Sequence, residues 1–365
     1  MLKFRTEFVK DMEKVGIDVG ESEPPRYWFS TGNYVLNRTI SGSFFRGIPQ
    51  GRIVCFAGPS GAGKTFVTCN AMREAQKDDA FVVVGDSEHA LDEEFAGKIG
   101  VLTDDEHWLH ADLDTVAQTQ KYISSFLKSY EKEYGIGDPN APRVLLVIDS
   151  LDMLMTDTEE ENFDKGILKG DQGQRSKQQK ALLRQFVHAI KHQNISMIVT
   201  HQVYRNQDVT NGEGLWMVGD AIRYSLSQVT LLTKLKLKDK EAGNVAGIRM
   251  KCEGFKTRFT KPFQSVTIEV PYETGMDPFN GLLEAAVDMG VVAQKGAWYQ
   301  IEGTDTKFQS KNFDQHAELI LMKCEEKADA FLQARLKDGE VEDLDAGETS
   351  KQRRIAKASK EGDEQ

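Results

Sequence analysis

Residues 58–65 read GPSGAGKT, and this stretch decides the fold class. It starts where the apolar run RIVCFAG (52–58) ends, and a helix-like segment, 64–76, follows it. All fixed positions of the pattern Gly-x-x-x-x-Gly-Lys-Ser/Thr are present between a predicted strand and a predicted helix, the context that a phosphate-binding loop needs. Glycines let backbone N–H groups converge on phosphate oxygens, and a helix N-terminus attracts negative charge. A glycine-rich turn without a ligand is the alternative, and the complete pattern favours nucleotide binding.

Residues in and beyond this loop are suited to a nucleotide bound with a magnesium ion. Lys64 is expected to reach the β- and γ-phosphates of ATP, and the hydroxyl of Thr65 is expected to ligate Mg²⁺. Asp149 ends the apolar run RVLLVID (143–149), a position where a carboxylate holds Mg²⁺ through water. The sequence therefore predicts ATP and Mg²⁺ as ligands. The predicted contacts within the loop are Gly58, Pro59, Ser60, Gly61, Ala62, Gly63, Lys64 and Thr65.

Strand-like and helix-like segments alternate after the loop. FVVVGD (81–86) and SMIVTH (196–201) are typical of buried strands, and residues 178–192 carry apolar side chains on one helical face. This alternation predicts an α/β domain with a mostly parallel central sheet. Three later segments alternate without intervening helices and are predicted to extend that sheet as hairpins: SQVTLLTKLKLK, AGIRMKCEG and QSVTIEV.

Four regions are predicted along the chain. Apolar residues recur at helical spacing from Leu2 to Val15 and stop at Gly16, which predicts a short amphipathic helix at the N-terminus. The C-terminal tail is polar, has too few apolar residues to fold alone and is predicted to be disordered. The predicted regions are an N-terminal segment, 1–29, an ATPase core, 30–270, a small C-terminal region, 271–336, and the charged tail, 337–365.

Composition and charge limit the class of protein. A chain with 39% hydrophobic and 28% charged residues suits a soluble globular protein, and its longest apolar runs are too short to span a membrane. Its four cysteines are widely spaced and indicate neither a disulfide framework nor a zinc site, which favours a reducing, cytoplasmic setting. The net charge of −11 excludes a chain that is basic throughout but not local cation clusters that bind nucleic acid.

An acidic stretch, GDSEHALDEEF (85–95), follows the second predicted strand. Ligands of an open α/β sheet bind beyond the carboxyl ends of its strands, so these acids are expected to emerge near the γ-phosphate. A carboxylate there could orient and deprotonate the attacking water. Spacing alone does not rank Glu88 above Asp86 for this role, and an ordinary solvated loop is the alternative.

Several motifs together resemble the RecA recombinase family, in their order and spacing, over about residues 30–302. The family resemblance implies a RecA-type ATPase core with a mixed, mostly parallel sheet, a small N-terminal helical oligomerisation segment and a small C-terminal α/β region. The overall length, and the segments KTR and GMDPFNGLLEAAVDMG, resemble phage UvsX-like recombinases more than bacterial RecA. The motifs are GPSGAGKT, DSEHALDEEFAGKIGV (86–101), VLLVIDS (144–150), VTHQ (199–202) and GAWY (296–299).

The resemblance also assigns roles at the nucleotide. Glu88 matches the family's catalytic glutamate. Asp92 and Phe95 match its adenine contacts, with Phe where the bacterial pattern has Tyr. Gln202 matches the glutamine that reports the γ-phosphate to a DNA-binding loop. His201 precedes it where the bacterial pattern has Asn, so either side chain is a candidate for this sensor.

Two cations in FKTRFTKPF match residues that the family contributes across a subunit interface. Lys256 and Arg258 would then neutralise charge on a phosphate bound by a neighbouring copy, as an arginine finger does. Two solvated sheet cations are the alternative, because Lys and Arg are routine at strand edges. Under the same resemblance, the N-terminal helix packs on the adjacent copy.

Two segments are candidates for contact with DNA. Residues 164–180 are rich in cations, and residues 204–224 are glycine-rich with an apolar Leu-Trp-Met sequence. Cations contact phosphates, and an aromatic or aliphatic wedge can separate bases. In the family both loops hold single-stranded DNA; a surface loop with one apolar anchor is the alternative. The predicted DNA contacts are Lys165, Lys169, Arg175, Lys177, Lys180, Arg205, Trp216, Met217 and Arg223.

The expected function is therefore that of a DNA-dependent ATPase and recombinase. It would form a helical filament of identical copies on single-stranded DNA, pair it with homologous duplex DNA and exchange strands. Single-strand-binding and mediator proteins are candidate partners, in the cytoplasm of a bacterium or of a phage's host. The alternatives are a hexameric helicase or motor with the same core fold, and a regulatory ATPase that does not respond to DNA.

Overall fold

The computed structural model describes residues 3–15, 24–167, 173–205, 216–217, 220–238 and 244–338. The chain divides into two compact units, Met1–Gly281 and Leu282–Gln365. The first unit continues past the end of the predicted core at residue 270, and the predicted region boundaries stay predictions. Except for residues 337 and 338, which end the last helix, the predicted tail lies outside the described residues.

The described part of the first unit alternates strands and helices through most of its length. Its helices are α1 (Lys3–Lys14), α2 (Tyr34–Ser41), α3 (Lys64–Lys77), α4 (Glu93–Ile99), α5 (Val116–Tyr134), α6 (Asp157–Asp164), α7 (Gln174–Ile190) and α8 (Asp220–Ser225). Its strands are β1 (Trp28–Phe29), β2 (Ile48–Pro49), β3 (Ile53–Ala57), β4 (Phe81–Asp86), β5 (Trp108–Asp112), β6 (Val144–Asp149), β7 (Ile195–His201), β8 (Tyr204–Arg205), β9 (Trp216–Met217), β10 (Gln228–Lys238), β11 (Val245–Thr257) and β12 (Ser265–Pro271).

One large sheet organises this unit. Within the described residues it has eight strands in the order β12-β11-β10-β3-β7-β6-β4-β5. The strands from β10 to β5 in this order pair in parallel, whereas β11 pairs in antiparallel orientation with both β10 and β12. This arrangement confirms the predicted α/β fold with a mixed, mostly parallel sheet. The carboxyl ends of β3, β7, β6 and β4 lie side by side, so the segments that follow these strands meet at one edge, the carboxyl edge.

The centre of the sheet is buried on both faces. Every residue of β3, β6 and β7 is buried, and these strands are nearly continuous runs of Val, Ile, Leu and other small or apolar residues. Such runs are typical of parallel strands covered by helices on both sides. The core on one face joins these strands to α5 and α7 through apolar residues such as Ile123, Leu183 and Phe186.

One strand of the sheet was not predicted from the sequence. Among the described residues β5 is an end strand of the sheet and pairs with β4, with Trp108 buried and Leu109 exposed. An edge strand needs less apolar surface than a central one, so WLHAD, with its histidine and aspartate, lacks the continuous apolar run used to recognise the others. The predicted hairpin segments do extend the opposite side of the sheet, as β10, β11 and β12.

The two predicted DNA-contacting segments contain regular structure. α7 begins at Gln174, so the second half of segment 164–180 is helical, and residues 168–172, including Lys169, lie outside the described residues. In segment 204–224, β8 pairs with β9 and α8 follows. The intervening residues 206–215 and 218–219 lie outside the described part of the chain, and so do the side chains of Arg205, Trp216 and Met217.

The second unit is a small α/β assembly, as predicted. It contains α9 (Leu282–Asp288), β13 (Val292–Lys295), β14 (Trp298–Ile301), β15 (Lys307–Gln309), a 3-10 helix (Ser310–Gln315) and α10 (Ala317–Asp338). The three strands form an antiparallel sheet. The motif GAWY spans the turn between β13 and β14, where Gly296 has a φ of 60°. Phe308 is buried against the rings of Tyr299 and His316.

Among the residues that the structure describes, no helix is both long and apolar enough to cross a lipid bilayer.

Candidate nucleotide-binding site

The phosphate loop of residues 58–65 joins β3 directly to α3. Its first N–H group, that of Gly58, donates to the carbonyl of His201 at 3.0 Å and so ties the loop to the end of β7. Gly61 and Gly63 have φ values of 67° and 98°, which lie in the left-handed region that glycine adopts without strain. The buried Lys64 ammonium donates to the carbonyls of Gly58 at 3.2 Å and Pro59 at 3.4 Å. The lysine head therefore lies against the loop, where phosphates bind in this motif.

The antiparallel hairpin of β10 and β11 flanks the same loop. A Cβ atom on Gly61 would lie 2.4 Å from Nζ of Lys234 in β10. A Cβ on Gly63 would lie 3.0 Å from Sδ of Met250 in β11. Lys234 is thus a second ammonium beside the tip of the loop, and it was not predicted from the sequence. Its only sequence signal is its position in the strand that pairs with β3.

Asp149 is the last residue of β6 and is buried at the carboxyl edge of the sheet. Its Oδ1 accepts a hydrogen bond from the hydroxyl of Thr200, and its Oδ2 is buried without a hydrogen-bond partner among the described residues. Burial raises the pKa of Asp149; the hydroxyls of Thr200 and Thr65 act to lower it, while the charges of Glu88 and Asp86 raise it further. A buried carboxylate oxygen without a donor, surrounded by negative charge, is suited to a cation.

The donor set around Asp149 therefore fits a magnesium ion. Mg²⁺ prefers hard oxygen ligands and usually keeps several waters, with one or two carboxylates and the phosphates of its substrate. Asp149 supplies the carboxylate, and Thr65, the first hydroxyl after Lys64, lies beside it. These are the two residues that the sequence predicted for the metal.

Glu88 is held by the residue that follows Asp149. Its Oε1 accepts from the hydroxyl of Ser150 at 2.7 Å. Ser150 is itself fixed to the loop after β4, because its N–H donates to Oγ of Ser87 at 2.9 Å and its carbonyl accepts from the same hydroxyl. The ends of β4 and β6 are thus joined by side chains, and Glu88 shares one edge with Asp149 and the phosphate loop.

Asp86 has a different position from Glu88, although the sequence could not rank the two. Its Oδ1 accepts from the N–H of Glu88 and its Oδ2 from the N–H of Leu91, both at 2.9 Å. Burial acts to raise the pKa of Asp86, but these hydrogen bonds and the His110 imidazole, 3.7 Å away, hold its pKa below the usual value. Both carboxylate oxygens are occupied in supporting the loop that carries Glu88. Glu88, whose carboxylate binds the Ser150 hydroxyl instead, stays the prediction for the carboxylate that activates water.

Asp92 and Phe95 lie together at the first turn of α4. Asp92 is the N-cap of this helix, and its Oδ1 accepts from the N–H of Phe95 at 2.7 Å. Asp92 is exposed and Phe95 is half-buried. An N-cap aspartate is a stabilising helix signal in its own right, so this structural role accompanies the predicted contact with adenine.

His201 and Gln202 end β7 and are held by one carboxylate. Nδ1 of His201 lies 2.8 Å from Oδ1 of Asp152 and also contacts the carbonyl of Gln202. The backbone N–H of Gln202 donates to Oδ2 of Asp152. His201 is buried, whereas Gln202 is half-buried. Asp152 was not predicted from the sequence, because only the fold brings this residue, three positions after the end of β6, next to the end of β7.

Lys256 and Arg258 lie away from the phosphate loop of their own chain. Lys256 pairs with Val229, which pairs with Cys55 in the middle of β3, and its Nζ donates to the carbonyl of Arg223 at 2.9 Å. Partial burial lowers the pKa of Arg52, and the nearby charge of Arg258 lowers it further, so Arg258 lies near the residue that precedes β3. Because the phosphate loop follows β3, both cations lie towards the opposite, amino edge of the sheet.

The predicted DNA-contacting cations differ in their exposure and in the partners they contact. Lys177 and Lys180 are exposed on the first two turns of α7, whereas Lys165 pairs with Glu161 at 3.2 Å. Arg175 forms an ion pair with Glu159 and donates to the carbonyl of Asp152 at 3.2 Å. Arg223, in α8, lies over the ring of Phe255, 5.8 Å from its centroid, and its carbonyl accepts a hydrogen bond from Nζ of Lys256.

A phosphate loop, a strand-end aspartate and a glutamate at the carboxyl edge of a mostly parallel sheet define a P-loop nucleotide-binding protein of the α/β class. The family model described as the RecA N-terminal domain matches residues 17–277, which is most of the chain. The chain therefore belongs to the RecA family.

Relatives with known names agree with this family. Protein RecA of Pseudomonas putida is 30% identical over 274 residues, covering 75% of this chain and 72% of that protein. Protein RecA of Syntrophus aciditrophicus is 28% identical over 306 residues, covering 80% and 82%. Protein RecA of Desulforapulum autotrophicum is 28% identical over 282 residues, covering 75% and 74%. The similarity thus extends beyond the phosphate loop, which many unrelated ATPases share.

Proposed function

We propose that this chain is an ATP-dependent DNA recombinase of the RecA type. It assembles as a helical filament on single-stranded DNA, pairs that strand with homologous duplex DNA and exchanges strands. The observation that carries the proposal is the separation of the two halves of the site. Lys64, Asp149 and Glu88 converge at the carboxyl edge, whereas Lys256 and Arg258 lie towards the amino edge.

The carboxyl edge supplies the groups for hydrolysis of ATP. Lys64 and the N–H groups of the loop bind the phosphates, and Ser150 orients Glu88 by its hydrogen bond to Oε1. Glu88 then accepts the proton of the attacking water, or aligns that water with the γ-phosphate. Thr65 and Asp149 would hold Mg²⁺, which supplies positive charge to the phosphate oxygens when bound. Asp92 and Phe95 are proposed to contact the adenine.

The missing half of the site comes from a neighbouring copy in this proposal. Lys256 and Arg258 of one copy approach the γ-phosphate held by the next and neutralise its developing charge. ATP at such a seam bonds two protomers, so the nucleotide state and the filament geometry become coupled. Helix α1, with exposed Phe4 and Phe8, is proposed to pack on the adjacent copy. The two sides of an interface of this kind are different surfaces, which is what builds an open helix.

DNA binding is assigned to the segments that leave β6 and β7. The exposed Lys177 and Lys180 are suited to phosphate contacts, and binding of this kind is independent of sequence and sensitive to salt. Arg175 can reach DNA only by giving up its ion pair with Glu159. The acidic net charge of the whole chain does not oppose this, since affinity follows local cations. Lys165, Lys169, Arg205, Trp216, Met217 and Arg223 complete the proposed contacts.

Three further expectations stay proposals. The likeness of segments such as GMDPFNGLLEAAVDMG to phage UvsX-like recombinases indicates a phage-type member of the family. A cytoplasmic location, in a bacterium or a phage's host, follows from that likeness and from the cysteine pattern. Single-strand-binding and mediator proteins are proposed as partners.

The function is tested by measuring ATP hydrolysis with and without single-stranded DNA and imaging the same mixtures by electron microscopy. We expect hydrolysis that rises on addition of single-stranded DNA, and filaments whose length follows that of the DNA. Closed rings that unwind duplex DNA would instead identify a hexameric motor. Hydrolysis that is indifferent to DNA, without filaments, would identify a regulatory ATPase and contradict the proposal.

A further inference from the structure

Asp152 contacts two separate elements of the structure. It lies in the segment after β6, three residues beyond Asp149, and its side chain is 23% exposed. Its carboxylate accepts from the His201 imidazole through Oδ1 and from the N–H of Gln202 through Oδ2. Its carbonyl accepts from the Arg175 guanidinium at 3.2 Å. One residue therefore contacts the end of β7 and the first turn of α7.

The chemistry of the contacts fixes the form of His201. Nδ1 faces two acceptors, the Asp152 carboxylate and the carbonyl of Gln202, so Nδ1 must carry a proton and donate it. The ring is only 7% exposed. A buried donor bound to a carboxylate is held more firmly than one bound to a neutral acceptor, because hydrogen bonds with one ionised partner are stronger. The imidazole therefore anchors the end of β7 to Asp152.

These contacts determine how Gln202 leaves the strand. Its N–H is bound by Asp152 and its carbonyl by His201, so both polar groups of its backbone have fixed partners. The backbone position from which the Gln202 side chain extends is thereby fixed. The segment on the other side of Asp152 is fixed as well, since Gln179 of α7 donates to the carbonyl of Leu151. Residues 151 and 152 therefore bind both the end of β7, at the nucleotide site, and the start of α7.

We infer that Asp152 is a positioning residue that couples the nucleotide site to DNA binding. It does not touch ATP in this scheme. Its carboxylate holds Gln202 towards the γ-phosphate, and its backbone carbonyl binds Arg175 of α7, the helix that carries the proposed DNA cations Lys177 and Lys180. The inference deepens the proposed function and rests on it.

The test compares the affinity for single-stranded DNA in a slowly hydrolysed ATP analogue with the affinity in ADP. The ratio of the two affinities measures the coupling between the sites. We expect Asp152→Ala to reduce this ratio about tenfold, within the usual range of such couplings, while the affinity for the ATP analogue itself stays within about twofold of wild type. Asp105→Ala is the matched control, since Asp105 is an exposed aspartate at the far edge of the sheet, in the turn before β5.

A second pair of variants separates positioning from general damage. His201→Asn keeps an N–H donor near Asp152, whereas His201→Leu removes it. Retention of the affinity ratio in His201→Asn, and its loss in His201→Leu, supports the inference even if Asp152→Ala does not fold. Equal ratios in the two His201 variants, or a wild-type ratio in a folded Asp152→Ala, would overturn it. If wild-type protein binds single-stranded DNA equally tightly with the ATP analogue and with ADP, the proposed function is wrong, and the inference fails with it.

Discussion

The carboxyl and amino edges of the large sheet hold their functional side chains in different ways. At the carboxyl edge each carboxylate has fixed partners: Thr200 for Asp149, Ser150 for Glu88, and two backbone N–H groups for Asp86. Towards the amino edge, Arg258 is exposed and Lys256 is half-buried, with its ammonium donating to the backbone carbonyl of Arg223. The first arrangement is a preorganised half-site. The second arrangement leaves the charge of Arg258 exposed at the surface.

The difference shows which half of the site one chain can build by itself. A carboxylate that orients water must be held in place before the reaction, because catalysis depends on fixed geometry. A cation that comes from another molecule needs reach and exposure instead. The contrast therefore supports a site that is completed by a second copy, and four experiments test this interpretation.

The largest effect is expected from Glu88→Gln. Removing the negative charge while keeping the shape should lower kcat by about 10²–10⁴-fold, the usual contribution of a general base. Binding of ATP and DNA should remain near the wild-type level. Steady-state hydrolysis and nucleotide titration measure the two quantities. Glu93→Gln, in the exposed first turn of α4, is the control. Turnover near the wild-type rate would remove Glu88 from its role and make Asp86 the next residue to test.

Lys64→Ala should weaken ATP binding by about 100-fold, equivalent to ~3 kcal/mol of charge-assisted hydrogen bonding. Filament formation with ATP should be lost in consequence. Calorimetric titration and electron microscopy report these results. Lys77→Ala is a matched control at the other end of α3, where the exposed Lys77 pairs with Glu74. Normal filaments with ATP in the Lys64 variant would contradict the position assigned to the phosphates.

A mixing experiment tests whether the two edges meet between copies. Glu88→Gln and Arg258→Ala should each be nearly inactive alone. An equal mixture should recover about a quarter of the wild-type rate of hydrolysis, because about one interface in four of a random filament combines an intact Glu88 with an intact Arg258.

The control mixture combines Glu88→Gln with Lys64→Ala. Both of these residues belong to the same half-site, so no interface in that mixture is intact and no recovery is expected. A mixture of Glu88→Gln with Arg258→Ala that stays inactive would show that the cation does not act across an interface.

The smallest effect concerns the ion pair at the start of α7. Partial burial acts to raise the pKa of Glu159, but the hydrogen bonds and charge of Arg175, with the N–H of Thr156, lower that pKa below its ordinary value of 4.5. A lowered folded-state pKa stabilises the protein above the unfolded pKa, and the gain is lost as pH falls through the folded value. Since Arg175 is 41% exposed, solvent screening limits the gain to about 0.5 kcal/mol.

Glu159→Gln should remove this contribution and keep the helix cap, since glutamine also accepts from the N–H of Thr156. We expect the variant to be less stable than wild type at about pH 6 and the difference to be smaller at about pH 3, because the gain is lost as the pH falls through the folded-state pKa. Urea unfolding at both pH values measures the difference. Glu160→Gln, an exposed neighbour in α6, is the control. A constant difference at both pH values would exclude an electrostatic origin.

Much of the fold and of the catalytic edge could be predicted from local patterns. The phosphate loop, Asp149 and Glu88 each follow a buried strand, and parallel strands present their carboxyl ends together. The edge strand β5 could not be predicted, because one-sided burial leaves it a mixed composition. The start of α7 was also misjudged, since its first turns are polar and the cation-rich sequence is typical of a loop.

Local sequence patterns were enough to predict the class of the sheet, the position of the phosphate loop and the residues that follow the buried strands. These features depend on short-range periodicity and on the conformational range of glycine. Tertiary structure alone showed that Ser150 binds Glu88 and that Asp152 contacts both β7 and α7. Such assignments depend on hydrogen bonds between residues that are distant along the chain. No local pattern specifies the partner of a side chain, since the partner is brought near only when the strands pair.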